Sequence, residues 1–138
     1  MRHRRLALLI FLVLGLLGVA VGTPASAQTT PTADVTSATV VLRGAAVDLT
    51  ATVTCEAGYS AALSLTITER SGNGIASGTG WTRFDCTGEP QTVTVRATAE
   101  VGGAPFRVGD ALVTGTLEVW DAYSYQTITV NDTVHIRM

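Results

Sequence analysis

Hydrophobic and polar residues alternate one by one along much of this chain. The alternation is clearest in four segments, which are 47–55, 63–68, 92–99 and 111–119. This period of two is typical of β-strands that place one face on a core and the other in water. Most of the polar positions hold threonine, whose β-branched side chain suits a half-exposed strand. No segment after the first 27 residues keeps the 3.6-residue period of a helix.

Three further segments show a weaker strand pattern, namely 35–42, 81–86 and 125–136. Turn signals rich in Gly, Pro, Asn and Asp separate the runs. A glycine-rich stretch over 72–80 precedes no helix and lacks the context of a phosphate loop, so we interpret it as a mobile hairpin loop. About seven short strands in about 100 residues predict an all-β fold, an antiparallel immunoglobulin-like sandwich.

The N-terminal 27 residues have the three-part pattern of an export signal. Arginines precede an apolar run over 6–21, and Ala25-Ser26-Ala27 forms a small-x-small cleavage site. The alternative is an uncleaved anchor, but 16 apolar residues fall short of the ~20 that a spanning helix needs. We therefore predict a signal peptide over 1–27, a flexible stub over 28–33 and one domain over 34–138. The product is expected to be extracellular, with no membrane attachment after cleavage.

Cys55 and Cys86 are the two cysteines of the chain. In an exported protein an isolated pair predicts a disulfide. A bridge that closes this ~30-residue loop should stabilise the fold by roughly 3–4 kcal/mol. Bridging needs Cα atoms about 4.4–6.8 Å apart. The prediction therefore also makes the strands that end at these cysteines neighbours.

The charge of the exported part limits its partners. Residues 28–138 hold all 11 acidic residues and six of the nine arginines, which gives a net charge of 6 − 11 = −5, and the chain has no lysine. An acidic surface repels phosphate backbones, so a nucleic-acid partner is not expected. The absence of lysine excludes Schiff-base chemistry and a Ser–Lys dyad.

Several short motifs together resemble a known group of proteins. They are Ala25-Ser26-Ala27, Val53-Thr54-Cys55, Gly78-Thr79-Gly80-Trp81, Cys86-Thr87-Gly88, Gln91-Thr92-Val93-Thr94-Val95 and Val108-Gly109-Asp110-Ala111. With them the chain resembles the small secreted immunoglobulin-like proteins of unknown function from high-GC Gram-positive bacteria. That resemblance implies a sandwich fold and no assigned activity.

A second resemblance is to the neocarzinostatin-type carriers, which are also small, acidic, secreted and rich in Ala, Thr, Gly and Val. They hold an apolar chromophore in a cleft, so this likeness implies a small-molecule carrier as the alternative function.

Candidate catalytic residues are few. His135 is the one histidine of the exported part, and its Val-His-Ile setting has no nucleophile motif beside it, so we interpret it as an outward-facing strand residue. One histidine and two paired cysteines do not make a zinc site, and no metal or cofactor is expected. We expect most of the acidic residues to be solvated charges at strand ends and turns; they include Glu56, Glu69, Asp85, Glu89, Glu100, Glu118 and Asp121. A carboxylate-dependent hydrolase is the third and weakest hypothesis.

The aromatic residues give the one indication of a binding site. Trp120, Tyr123 and Tyr125 cluster around one turn, and Trp120 has the opposite parity to the core position Val119. Such side chains favour contacts with proteins or carbohydrates. The alternative is that one of them plugs the end of the core. We predict a monomeric, non-catalytic secreted domain that binds an extracellular protein or polymer through this patch.

Overall fold

The structure is a computed structural model that describes Gly22 and residues 29–138. The predicted signal peptide, apart from Gly22, lies outside the described residues. Seven strands and one short 3₁₀ turn form the domain; they are β1 (Thr32–Val41), the 3₁₀ turn (Leu42–Gly44), β2 (Ala46–Thr54), β3 (Ser60–Ser71), β4 (Gly74–Asp85), β5 (Gln91–Ala99), β6 (Gly109–Trp120) and β7 (Tyr125–Arg137). In this part of the chain no helix is long and apolar enough to cross a membrane. The predicted all-β content and number of strands are confirmed.

The predicted immunoglobulin-like sandwich is wrong, because the sheet closes into a barrel. The strand order is β1-β2-β5-β4-β3-β6-β7, and β7 then pairs with β1. The β1–β7 pair is parallel and the other six are antiparallel. A period of two determines which face of a strand points inward. It does not determine whether the two edge strands of a sheet pair with each other and close it into a barrel.

Two narrow pairings complete the barrel. β4 and β5 share two residue pairs, Gly78 with Ala99 and Thr79 with Thr98, and β1 and β7 also share two. Next to the β4–β5 pairs, the amide of Glu100 donates to the carbonyl of Ser77 at 2.8 Å. Closure therefore depends on a few backbone contacts, whereas the hairpin of β3 and β4 has twelve pairs.

The glycine-rich stretch is a strand and not the predicted loop. β4 begins at Gly74, after a turn in which Gly72 has a left-handed φ of +62°. Farther along β4, a Cβ on Gly78 would lie 2.6 Å from the Thr98 carbonyl oxygen, and one on Gly80 would lie 2.1 Å from that of Arg96. Glycine inside a strand often marks such a close backbone approach. Here it lets β4 reach β5.

The disulfide is confirmed, with the Cα atoms of Cys55 and Cys86 5.3 Å apart. The predicted neighbour relation is wrong, because β5 lies between β2 and β4 in the sheet. Each cysteine directly follows the last residue of its strand, so the bridge crosses the mouth of the barrel above the start of β5. We call this mouth the disulfide end; the β6–β7 turn lies there too, and the 3₁₀ turn lies at the opposite end.

Inward-facing aliphatic side chains fill the barrel. The largest fully buried ones include Leu49, Leu63, Leu65, Ile67, Leu117 and Ile136. A seven-stranded barrel is narrow enough for side chains to occupy its interior. Binding sites are therefore to be sought at the two ends and on the outer surface.

Candidate functional site

The predicted aromatic patch lies on the outer surface at the disulfide end. Trp120 and Tyr125 face each other across the β6–β7 hairpin, and Tyr123 lies in its turn. Tyr123 is 98% exposed and Tyr125 is 61% exposed, while Trp120 is half-buried. Tyr59 is the tyrosine that packs against the hydrophobic core. The three patch residues therefore do not plug the barrel.

An arginine from a more distant strand completes the patch. The Arg83 guanidinium lies over the Trp120 ring, 5.0 Å from its centroid. In the strand register Arg83 on β4 and Glu118 on β6 both lie opposite Ala62 of β3. The small Ala62 side chain lets the two charged residues approach over β3. A guanidinium in this position gains a cation–π attraction, which favours its place beside the ring.

Tyr125 and Glu118 lie next to each other in the same patch. The Glu118 carboxylate raises the pKa of Tyr125 above its ordinary value, because it favours the protonated hydroxyl beside it. These residues, with Arg83, Trp120, Asp121 and Ser124, line a shallow cavity of about 380 Å³. We call this set, with Tyr123 at its rim, the aromatic site. It offers ring surfaces, a guanidinium, carboxylates and a hydroxyl within one small area.

Asp121 holds the turn that carries Tyr123. One carboxylate oxygen of Asp121 accepts from the amide of Tyr123 at 2.8 Å and from the amide and hydroxyl of Ser124 at 2.6 and 3.0 Å. Donation by the Tyr123 amide, reinforced by Ser124, keeps the pKa of Asp121 below its ordinary value. The short carboxylate side chain thus replaces a backbone turn bond.

The turn should therefore loosen in acid. A carboxyl whose folded pKa is lowered stabilises the folded turn above its ordinary pKa of about 3.9, and this contribution is lost as pH falls through the folded pKa. We expect the protection of the Tyr123 and Ser124 amides from hydrogen exchange to be constant above about pH 4 and to fall below it. In Asp121→Asn, which keeps an acceptor oxygen but no charge, the protection should be lower at neutral pH and should not show this step. The same step in the variant would contradict the assignment.

His135 has a partner that the sequence did not indicate. Its Nδ1 lies 2.7 Å from a carboxylate oxygen of Asp110, the residue opposite it on β6. Ser37 of β1 lines the same cavity of about 220 Å³ as His135. However, the side chains of His135 and Asp110 are 53% and 82% exposed. Water screens so exposed a pair, and we assign it no catalytic role.

One carboxylate differs from the expected solvated set. Glu69 is 3% exposed, and its Oε2 accepts from the amide of Arg107 at 3.0 Å. This bond ties the β5–β6 loop to the barrel at the end opposite the disulfide. Within residues 29–138 no group of three or more His, Cys, Asp or Glu side chains is placed to hold a metal ion.

Comparison with known proteins gives no relative for this chain: no family, no curated protein and no solved structure matches it. The resemblance to secreted proteins of high-GC Gram-positive bacteria therefore stays a prediction. The geometry of the described residues is what supports a functional proposal.

Proposed function

We propose that this chain is a secreted, non-catalytic domain that binds an extracellular polysaccharide through the aromatic site. The observation that carries the proposal is that a guanidinium lies beside the Trp120 ring and a carboxylate lies beside the exposed Tyr125. Arg83 lies over the Trp120 ring, and Glu118 and Tyr125 line the same cavity. Each charged group thus lies beside an aromatic ring at the edge of solvent.

This combination suits a sugar ring. The C–H face of a pyranose packs against an aromatic ring, while its hydroxyls need donors and acceptors around the rim. Arg83 supplies donors, Glu118 supplies an acceptor and Ser124 can act as either. Tyrosine provides this contact area with little side-chain entropy to lose. The contact with Trp120 already favours one position of the Arg83 guanidinium, so binding would cost less ordering of this side chain.

The proposed location rests on the disulfide and on the N-terminal pattern. A buried Cys55–Cys86 bond is consistent with an oxidising compartment such as the extracellular space. The predicted signal over residues 1–27 would bring the chain there.

Retention on insoluble polysaccharides from bacterial envelopes and from plant walls tests the binding proposal. Tyr125→Ala removes both an exposed ring and the partner of Glu118, so we expect about tenfold weaker retention. Trp120→Ala should act similarly, because it releases Arg83, and Tyr123→Ala should weaken retention less. Trp81→Ala is the matched control, since Trp81 is 71% exposed on the outer face of β4 but does not line the cavity.

Two results would contradict the proposal. One is equal retention of the wild type and all three variants on every polysaccharide that binds. The other is retention that depends on Trp81 and not on the aromatic site. Capture of a protein from the culture medium, with no polysaccharide bound, would replace the proposed ligand by a protein.

A further inference from the structure

A second cavity lies at the end opposite the disulfide. The 3₁₀ turn Leu42–Gly44 and the segment 106–108 form a groove of about 500 Å³. Six hydrophobic residues, two arginines and one glycine line it. A cavity of this size lies within the range of small-molecule sites, which are about 300–1,000 Å³ and mostly apolar.

Hydrogen bonds hold both walls of the groove. The amide of Phe106 donates to the carbonyl of Gly44 at 2.9 Å, and a Cβ on Gly44 would lie 2.6 Å from the Phe106 carbonyl oxygen. From the barrel interior, Glu69 accepts from the amide of Arg107 at 3.0 Å. The buried Ser71 hydroxyl donates to the carbonyl of Pro105 at 2.7 Å. These bonds hold the 3₁₀ turn and the segment 105–107 in place.

The 3₁₀ turn has an unfavourable backbone conformation. Leu42 and Arg43 have φ values of +50° and +57°, in the left-handed region that non-glycine residues seldom adopt. The Leu42 side chain nevertheless remains 66% exposed, and that of Val108 across the groove is 50% exposed. The backbone is thus strained at Leu42, although burial of the Leu42 side chain contributes little to the stability of the fold. Strain of this kind clusters at binding sites.

The charge of the groove contrasts with the rest of the domain. Arg43 and Arg107 line it, together with Met138, and no acidic side chain does, although residues 28–138 have a net charge of 6 − 11 = −5. We propose that the groove binds a small amphipathic anion. Its alkyl chain would pack on Val41, Leu42 and Val108, and its carboxylate would pair with the two arginines. This site is separate from the aromatic site and does not depend on the proposed function.

Decanoate, kept below its micellar concentration, is a suitable probe for isothermal titration calorimetry. Butyrate has the same head with a short chain, and decyltrimethylammonium has the same chain with the opposite charge. We expect both to bind at least about tenfold more weakly than decanoate. Equal binding of decanoate and butyrate, or of decanoate and decyltrimethylammonium, would overturn the proposal.

Leu42→Gly separates binding from folding. Glycine accepts a positive φ without strain, so this variant should unfold at the same temperature as the wild type or a few degrees higher. It also removes the apolar contact, so its affinity for decanoate should fall at least about tenfold. Unchanged affinity in a folded Leu42→Gly would overturn the proposal.

The arginines are tested by Arg43→Gln and Arg107→Gln, each of which should weaken decanoate binding several-fold and reduce its dependence on salt. Arg70→Gln is the matched control, because Arg70 is exposed but does not line the groove.

The experiments also distinguish a small anion from two other occupants of the groove. Binding to anionic vesicles without binding of monomeric decanoate would point to a membrane surface, and a Leu42-dependent dimer in sedimentation would point to a second copy; either result would overturn the proposal.

Discussion

Gly80→Ala should destabilise the domain by about 3 kcal/mol or more, because the added methyl group has no room. The new Cβ would lie 2.1 Å from the Arg96 carbonyl oxygen and 2.6 Å from its carbon. These are backbone atoms that cannot rotate away, so β4 and β5 must separate. For a domain of about 110 residues the melting temperature should fall by roughly 10–20 °C.

Gly74→Ala is the matched control for this change, because it adds the same methyl group at the start of the same strand. There the nearest neighbour is the Ala104 side-chain carbon at 3.3 Å, and the melting temperature should change by only a few degrees. In Gly80→Ala the amide of Glu100, which crosses from β5 to β4, should also exchange faster. Equal melting of the two variants would show that β4 does not approach β5 as closely as described.

Loss of the disulfide should cost a similar amount. The bridge joins residues 31 apart in sequence, which corresponds to about 3–4 kcal/mol in the chain-entropy model. Cys55 and Cys86 are 0% and 6% exposed, so a mild reductant should act slowly on the folded domain. The double variant Cys55→Ala/Cys86→Ala is the cleaner test, and its melting temperature should fall by roughly 10–20 °C.

The expected damage is local as well as global. The amide of Cys86 donates to the carbonyl of Tyr59, and the amide of Gly88 donates to the carbonyl of Cys55. Faster exchange of these two amides in the double variant would show that the bridge orders the disulfide end. The wild type treated with reductant under denaturing conditions and then refolded serves as a control for the substitutions themselves. A double variant that melts like the oxidised wild type would contradict a stabilising role for the bond.

Much of the fold could be predicted from the sequence, because hydrophobic and polar residues alternate along most of the strands. In β2 the alternation from Val47 onward matches the burial of every second residue. β4 could not be recognised at its start, because its inward positions Gly78 and Gly80 carry no side chain that signals a core. Those same glycines permit closure of the barrel. Because these glycines made the start of β4 unrecognisable in the sequence, the sequence also did not show that the sheet closes into a barrel.

The candidate site was predictable to the extent that it depends on strand parity. The parity of Trp120 against Val119 correctly indicated the outer face. Arg83 was missed, because its contact with Trp120 crosses β3 and requires the register of three strands. The groove at the other end was missed for a similar reason. It joins residues about sixty positions apart through loops that have no periodic pattern.

A titration followed by ¹H–¹⁵N NMR tests the central claim most directly. The ligand is a soluble oligosaccharide from a polysaccharide that retains the protein, and the chain has two tryptophans whose indole N–H signals serve as internal probes. We expect the signals of the Trp120 indole, the Arg83 Nε–H and the Ser124 amide to shift together and saturably, while the Trp81 indole signal stays in place. Saturable binding that shifts Trp81 or the groove residues and leaves Trp120 unchanged would contradict the account.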